Sequence, residues 1–426
     1  MINTVTGMGA CPECGATTAS IRDAEPWCPG CEWNLDAYDP ARRRREFGWS
    51  WVDRWTYRLA FRETGRQFAR LVGRPVDGSG AGAAAVLVTV ASLLLLAAVL
   101  ALAVTGVWLI VAFPFPNLAI LPGIAMVGLA IALRPRFGRL DPDLEVLSRD
   151  RAPELFALID EVAVAIGAPA PDVVGVDGDG DINAYAGAVG LRRRKVLGLG
   201  LPLWGSLTAG ERVALLGHEL GHFVNGDPRR GLLTQPAFTM LGSAADLFRP
   251  VSTVVGGGLV EMIGDALGRA FQWVASRLLF VAHLLLVSVA LRDGQRAEYL
   301  ADELSARVAG TKAATDLLDA LLDSDSMELV VRRESRAGHG PDRWRSALSQ
   351  SRSASADRLP LLRQLSVRDA TSLFASHPPA GLRDRMLTGR GWLDPTVVLT
   401  PARMERIDDE LTREYARFRR TVEWSG

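Results

Sequence analysis

Two histidines four residues apart, with a glutamate between them, are the most distinctive chemical feature of the sequence. Residues 215–228 read LLGHELGHFVNGDP and contain His218, Glu219 and His222, in a chain that has five histidines in total. On an α-helix, side chains four residues apart project from one face, so two imidazoles at this spacing can bind one tetrahedral metal ion. The glutamate between them is placed to act as a general base. The pattern therefore predicts a zinc site for hydrolysis.

Local signals define the helix that must carry this pair. Thr208-Ala-Gly-Glu211 is a capping box, in which side chains satisfy the first free amides of a helix. Asn225-Gly226 is a natural stop, because such residues accept the left-handed backbone that ends many helices. We predict a helix from about residue 209 to residue 225, with both histidines in its interior.

Two histidines do not complete a catalytic zinc site, which normally has three protein ligands and one open position. Asn225 and Pro228 stand where the metzincin motif requires glycine and histidine, which excludes that class. A carboxylate from a later helix is the other common arrangement, and several candidates lie between residues 261 and 334. Among them, Glu298 is on a strong helical segment, and Asp302, one turn further, could orient a ligand histidine.

Four cysteines near the N terminus form a second candidate metal site. They are arranged as Cys11-Pro-Glu-Cys14 and Cys28-Pro-Gly-Cys31, with 13 residues between the two pairs. This spacing is close to that of four-thiolate zinc sites, and in a reducing compartment two disulfides are the weaker alternative. We predict a zinc ribbon in residues 1–40, folded by a structural zinc ion because so short a segment cannot build a sufficient core.

A long charge-free segment predicts a membrane region. The chain has 426 residues, of which 48% are hydrophobic, and none of the 56 positions from Gly78 to Leu133 is charged. A helical span takes about 20 apolar residues, so two spans fit. The break is FPFPN at residues 113–117, where prolines remove backbone donors. We predict a transmembrane helical hairpin at 81–134.

Arginines flank this hairpin on both sides and are missing from its turn. By the positive-inside rule, both flanks are cytoplasmic. We therefore predict a multi-pass protein of the cell membrane, with its N terminus and catalytic domain in the cytoplasm. The flanking arginines are Arg62, Arg66, Arg70, Arg74, Arg134, Arg136 and Arg139.

The linker at 41–80 is predicted to be a basic amphipathic helix, because an arginine recurs at every fourth position. On a helix this spacing forms a slowly drifting cationic stripe. The stripe is suited to anionic lipid headgroups. A solvated helix is the alternative, since 46 of the 48 basic residues of the chain are arginine. The stripe consists of Arg54, Arg58, Arg62, Arg66, Arg70 and Arg74.

The remainder, 140–426, reads as a globular domain that is mainly α with a small β-sheet (α+β). A helix is predicted at 153–167 from its initial proline and closing glycine, and β-prone runs lie at 172–176, 182–189 and 195–199. An apolar insertion at 231–292 is interrupted by charges, and its charge-free pieces are shorter than a full span. It is either embedded in the membrane or apposed to it.

Four motifs in order carry a family resemblance: NAYAG at 183–187, LGHELGHFVNGD at 216–227, RAEYLAD at 296–302 and SHPPAGLR at 376–383. With them the chain resembles the HtpX-like membrane zinc endopeptidases, which are relatives of the CAAX prenyl endopeptidase. The resemblance implies a gluzincin-like zinc metalloprotease domain that hydrolyses peptide bonds at a cytoplasm-facing site, with a role in membrane protein quality control. The zinc ribbon lies outside the shared core.

The resemblance also implies a role for individual residues. Glu298 corresponds to the third zinc ligand, and Asp302 supports it. Glu219 is the general base, and Asn183, Ala184 and Tyr185 correspond to an edge strand that aligns the substrate. The HPP histidine and the arginine six residues later, His377 and Arg383, correspond to groups that contact the substrate or transition state, with Tyr299 as a further candidate for the oxyanion. Leu382 departs from the pattern, because an acidic residue often precedes that arginine.

Two other functions are weighed against a protease. A catalytically silent scaffold would recruit partners through its ribbon, but the intact Glu219 argues against it. A membrane-tethered nucleic-acid binder is disfavoured because 48 basic residues are balanced by 48 acidic ones. We expect protein or peptide substrates, contact with the lipid membrane and no nucleic acid. We also expect about two zinc ions per chain, one catalytic and one structural. The oligomeric state is left open.

Overall fold

The structure is a computed structural model that describes residues 6–43, 46, 49–74, 83–134, 140–177, 184–190, 192–226, 240–249 and 259–424. The chain divides into two compact units. The first comprises Met1–Ser79, Arg139–Pro228 and Gly294–Gly426, and the second comprises Gly80–Gly138 and Arg229–Asp293.

Helices dominate both units. In chain order they are α1 (Ser50–Leu71), α2 (Ala83–Ala112), α3 (Ile120–Ala132), α4 (Pro153–Ile166), α5 (Leu201–Ser206), α6 (Ala209–Asn225), α7 (Leu259–Ala309), α8 (Thr311–Leu322), α9 (Ser324–Arg336), α10 (Pro341–Ser355), α11 (Leu359–Asp369), α12 (Ala380–Thr388), α13 (Pro401–Glu410) and α14 (Thr412–Trp424). Residues 240–247 are also helical, and a 3-10 turn at Ala356–Arg358 leads into α11.

Two small sheets belong to the first unit. Strands β1 (Thr6–Ala10) and β2 (Thr17–Ser20) form an antiparallel hairpin in the ribbon. Strands β3 (Leu144–Leu147), β4 (Val173–Asp177), β5 (Tyr185–Val189) and β6 (Arg194–Gly200) form a sheet of order β3-β4-β6-β5. Only the β4–β6 pair is parallel. β5 is therefore an edge strand of this sheet, and no strand of the described residues pairs with its other side.

The expected α+β class with a small sheet is confirmed. Residues 173–177, 185–189 and 194–200 are strands, close to the predicted runs, although residues 182 and 183 lie outside the described part of the chain. β3 was not predicted, since it is a four-residue edge strand with too short a pattern to recognise. The predicted helix at 153–167 is α4, which begins at Pro153 and is closed by Gly167 in the left-handed conformation, φ 70°.

The main core lies between α4, the four-stranded sheet and α6. α4 buries one face completely, including Leu155, Leu158, Ile159 and Val162. Each such side chain contributes about 2 kcal/mol by leaving water. This layer is a rigid base for α6, which carries the histidine pair.

Within the second unit, α2 and α3 pack closely as a helical hairpin. A Cβ added to Gly106 would lie 2.9 Å from the carbonyl oxygen of Gly123, so the two backbones almost touch. α2 ends at Ala112, immediately before the predicted break. α3 has only 13 residues, which is about 20 Å of helix and less than the roughly 30 Å of a bilayer core. α3 alone is thus shorter than a full span, because the turn that contains Pro114 and Pro116 extends to residue 119.

Among the described residues, two helices are long and apolar enough to cross a membrane, judged by length and composition: Val86–Ala112 and Ile263–Ala309. The second is part of α7, a continuous helix of 51 residues. Its charged residues do not interrupt the helix, although they suggested separate short apolar pieces in the sequence. Residues 231–239 and 250–258 of the predicted insertion lie outside the described residues.

Candidate metal centre

The helix α6 has the boundaries that its sequence predicts. The Thr208 side chain accepts from the Glu211 amide, and the Glu211 carboxylate accepts from the Thr208 amide at 2.8 Å, which completes the capping box. Gly226 ends the helix in the left-handed conformation, φ 72°. His218 therefore lies in the interior and His222 in the last turn of a helix whose ends are fixed by hydrogen bonds.

Two glycines bring α6 against the last turns of α7. A Cβ on Gly217 would lie 2.5 Å from Val308 Cγ2 and 2.9 Å from Ser305 Cα. A Cβ on Gly221 would lie 3.1 Å from Ala301 Cα. Because no side chain separates the backbones here, a carboxylate on α7 can reach the imidazoles of α6. The sequence reasoning missed these glycines, although each directly precedes a member of the histidine pair.

Glu298 of α7 meets both histidines. Its Oε2 lies 3.4 Å from His218 Nε2, and its Oε1 lies 3.6 Å from His222 Nε2. One ligand atom from each residue lies within 4.8 Å of the others. Ligands about 2.1 Å from a tetrahedral metal ion are separated by about 3.4 Å. The separations are thus too long for strong direct hydrogen bonds but match a shared ion.

Asp302 and Arg383 stand behind His218. Asp302 Oδ1 lies 3.1 Å from His218 Nδ1. The Arg383 guanidinium donates to both oxygens of Asp302, from Nε at 2.7 Å and from Nη2 at 2.5 Å. Burial alone would lower the pKa of His218, but its bonds to Asp302 and Glu298 outweigh burial and raise that pKa to about 10. Arg383 is itself buried, and Asp302 raises the pKa of its guanidinium above the ordinary value.

His377 stands at the exposed side of the same cluster. Its Nδ1 lies 2.6 Å from Glu298 Oε2, while 58% of its side chain remains exposed. Glu219 is buried on α6 beside the histidine pair. The Tyr299 side chain is buried in an apolar cluster with Met386 and Phe68.

The edge strand β5 lies next to α6. Ala184, just before the strand, packs against the main core, and Tyr185 is partly exposed on the strand itself. Tyr185 pairs in register with Gly198, whose missing side chain leaves room for the tyrosine ring. Asn183 lies outside the described residues. A peptide that paired with the free side of β5 would run beside the histidine helix.

The four cysteines converge at the second site. Cys11 Sγ lies 3.7 Å from Cys31 Sγ, and Cys14 Sγ lies 3.4 Å from Cys28 Sγ, with all four sulfurs within 4.8 Å of one another. None of the four cysteines is in a disulfide. A tetrahedral zinc ion with Zn–S bonds of about 2.3 Å separates its sulfurs by about 3.8 Å, which these distances approach. A hydrogen bond from the Cys31 backbone lowers the pKa of the Cys28 thiol to about 7, whereas burial and the neighbouring thiols raise the pKa of the Cys31 thiol.

Comparisons with known proteins agree with this geometry. The model of "Peptidase family M48" matches residues 149–390, more than half of the chain. A relative described as "Protease HtpX homolog", from Syntrophobacter fumaroxidans (strain DSM 10017 / MPOB), is 26% identical over 243 residues, which are 57% of this chain and 77% of the relative. No solved structure matches. The matched span contains α6, Glu298, His377 and Arg383, and M48 enzymes are metallopeptidases. The chain therefore belongs to peptidase family M48, as its resemblance to HtpX-like proteases predicted.

Proposed function

We propose that this M48 peptidase is an integral-membrane, zinc-dependent endopeptidase whose active site faces the cytoplasm. The observation that carries the proposal is the convergence of His218, His222 and Glu298, with separations that suit one tetrahedral ion. The donor set of two imidazoles and one carboxylate is typical of catalytic zinc sites that keep a fourth position open.

The three ligands would hold zinc, and the ion, when bound, polarises the scissile carbonyl and lowers the pKa of water. Asp302 fixes the ring of His218 from behind, and Arg383 keeps Asp302 ionised by donating to both of its oxygens. Arg383 is thereby assigned a positioning role, while its predicted contact with substrate stays a prediction.

Glu219 is the proposed general base. Its carboxylate accepts a proton from the attacking water and returns that proton to the leaving amine. His377, exposed beside Glu298, would donate a hydrogen bond to the oxygen that becomes negative in the transition state. The free edge of β5, with Ala184, Tyr185 and the preceding Asn183, would align an extended peptide substrate.

The remaining sequence predictions enter as parts of this proposal. The zinc ribbon spans 1–40, the basic helical linker 41–80, the transmembrane hairpin 81–134 and the peptidase domain 140–426 with its insertion at 231–292. The arginines around the hairpin support a cytoplasmic location of both flanks. A protease so oriented has access to proteins of the inner face of the membrane, which fits a role in membrane protein quality control.

The proposed base is tested by Glu219→Gln in the full-length, detergent-purified protein. Glutamine keeps the shape of the side chain but cannot accept the proton, so we expect casein hydrolysis to fall by about 1,000-fold while zinc content is unchanged. Hydrolysis by the wild type should also be abolished by a chelator and restored by zinc. An active Glu219→Gln variant would refute the assignment, and inactive wild type with a full zinc complement would favour the silent scaffold.

A further inference from the structure

The ribbon is docked on α11 and α12, the helices before and after the HPP segment. Its residues Ile21, Trp27 and Leu35 share one apolar cluster with Leu365 of α11 and Leu382 of α12. The Trp27 indole donates to the Gln364 side chain at 3.0 Å, and the Gln364 amide donates back to a ribbon carbonyl at 2.9 Å. The contact is therefore both apolar and directional.

Arg368 of α11 is the most buried polar group in this contact, at 1% exposure. Its guanidinium donates to the carbonyls of Glu25, Asn34 and Leu35 at 2.7 to 3.1 Å and lies over the Trp27 ring. These acceptors flank the Cys28–Cys31 pair in the chain. Burying a guanidinium without hydrogen-bond acceptors costs free energy. Arg368 can therefore stay buried on α11 only while the loop that holds this cysteine pair is folded and supplies the acceptors.

α12 connects this contact to the metal centre. Leu382 is buried in the ribbon cluster, and the next residue, Arg383, holds Asp302 behind His218. α12 is also locked against α11, because a Cβ on Gly381 would lie 2.0 Å from the Arg363 carbonyl oxygen. The leucine that replaces an acidic residue at position 382 is thus explained, since a carboxylate there would be buried against the ribbon.

We propose that the zinc-loaded ribbon is a positioning element of the active site: it holds α11 and α12, and through Leu382 and Arg383 it fixes the carboxylate that orients His218. The inference rests on the proposed peptidase function. Loss of the ribbon metal leaves Arg368 without its acceptors and releases the segment from His377 to Arg383. The cysteine site then controls catalysis without contacting substrate.

The test compares two full-length variants with the wild type. Cys14→Ser with Cys31→Ser removes the exposed thiolates of the ribbon, and Arg368→Ala breaks the contact while leaving the thiols intact. Arg336→Ala, an exposed arginine on α9, is the matched control. Hydrogen–deuterium exchange of peptides covering 376–388 is the primary readout, because it does not depend on activity. Kinetics on casein are the second.

We expect both test variants to exchange at least about tenfold faster at 376–388 and to lose about tenfold in kcat with KM nearly unchanged, because the interaction lost is one made in the transition state. The cysteine variant should lose only the ribbon zinc. Unchanged protection at 376–388 in Arg368→Ala overturns the proposal, whatever the activity. If 376–388 exchanges fast in both test variants but the wild type has no activity on casein, the coupling is supported and only the peptidase assignment is refuted.

A second inference follows from the two faces of α1. The buried face is centred on Asp53, Tyr57, Ala60 and Thr64 and packs within the first unit. The Tyr57 ring makes a tilted contact with the Tyr38 ring and lies under the guanidinium of Arg43. Successive residues of an α-helix are rotated by about 100°, which centres the arginine stripe on the side of α1 opposite the buried face. Trp51 and Trp55 lie on the same side as the arginines, and their exposed fractions are 72% and 62%.

The charged residues of this exposed face are almost all arginines. The two acidic residues of α1 do not oppose it, since Asp53 is buried and Glu63 pairs with Arg66. Exposed tryptophans beside a row of arginines are typical of helices that lie in a headgroup layer. Only eleven residues, 72–82, separate α1 from the apolar α2. We infer that this face binds anionic lipid headgroups beside the membrane that the proposed function assigns to α2.

A photo-crosslinking residue in place of Arg58 tests the inference in full-length protein, reconstituted in phosphatidylcholine vesicles with and without phosphatidylglycerol. The same residue in place of the exposed Arg413 is the control position. Charge reversal of Arg54, Arg62 and Arg70 to glutamate is compared with reversal of Arg307, Arg336 and Arg420. The latter three are exposed and change the net charge equally.

We expect at least about tenfold more lipid crosslinking at position 58 than at position 413 in phosphatidylglycerol vesicles, lost on reversal of the α1 arginines and kept in the control reversal. Equal crosslinking at both positions, or insensitivity to the α1 reversal, overturns the inference. So does α1-dependent binding of a DNA or RNA duplex in place of lipid. Retention of the chain during alkaline carbonate extraction separately reports whether α2 spans the membrane.

Discussion

At the scale of single residues, one ligand side chain of the metal centre, His218, is held in place by further side chains behind it. The Nε2 atom of His218 faces the proposed ion, and the Nδ1 atom of the same ring faces Asp302. Arg383 holds Asp302 by two hydrogen bonds. The supporting carboxylate fixes the ring and makes the imidazole a better ligand. In the proposed mechanism, function therefore depends also on Asp302 and Arg383, which do not contact the ion.

Asp302→Asn should weaken zinc binding at this centre by about 10- to 100-fold, because the neutral amide no longer balances Arg383 or the proton on the far side of His218. Competition with a chelating dye measures the affinity. Asp316→Asn, at an exposed carboxylate paired with Lys312, is the matched control and should retain the wild-type value. Wild-type affinity in Asp302→Asn would contradict the supporting role.

At the scale of elements, the site exists because α6 and α7 approach without intervening side chains. Gly217 and Gly221 face the backbone of α7 at the turns that present Glu298 and Asp302. These two positions therefore require glycine for close packing, although glycine takes no part in the chemistry.

Gly217→Ala should destabilise the protein by about 1–3 kcal/mol, because the added methyl group overlaps Val308 and Ser305 and the helices must separate. Urea unfolding followed by circular dichroism measures the free energy of unfolding. Gly65→Ala is the control, since a Cβ at that helical position meets nothing within 4 Å. It should stabilise by up to about 1 kcal/mol. Equal effects of the two substitutions would show that the close approach is unimportant.

Local sequence signals predicted the helices and strands better than the tertiary contacts between them. The capping box and closing glycine defined α6, and proline and glycine bounded α4, because these signals act within a few residues. The choice of Glu298 among several carboxylates depends on tertiary packing, and without the family resemblance it stayed open. The continuity of α7 was missed because scattered charges break an apolar pattern without breaking a helix.

At the scale of the whole molecule, the peptidase family accounts for residues 149–390, and the ribbon, α1 and the α2–α3 hairpin lie outside that span. The first unit nevertheless combines the ribbon and the peptidase core through buried contacts such as those of Arg368. The ribbon, which lies outside the matched span, is thus a packed part of the first unit.

The membrane topology gives a prediction at this scale. Because arginines flank the hairpin and its turn carries none, a reporter fused at the C terminus should be cytoplasmic. Alkaline phosphatase, active only outside the cytoplasm, should be active when fused after Asn117 and inactive when fused after Trp424. Activity of both fusions, or of only the second, would contradict the proposed orientation.

The most direct measurement is the zinc content of the purified full-length protein and of Glu298→Ala, determined by mass spectrometry of the metal. Wild type should contain about two zinc ions per chain and Glu298→Ala about one, because the ribbon keeps its ion when the second site loses a ligand. Two ions in Glu298→Ala, or only one in the wild type together with an intact ribbon site, would contradict a metal centre built from His218, His222 and Glu298.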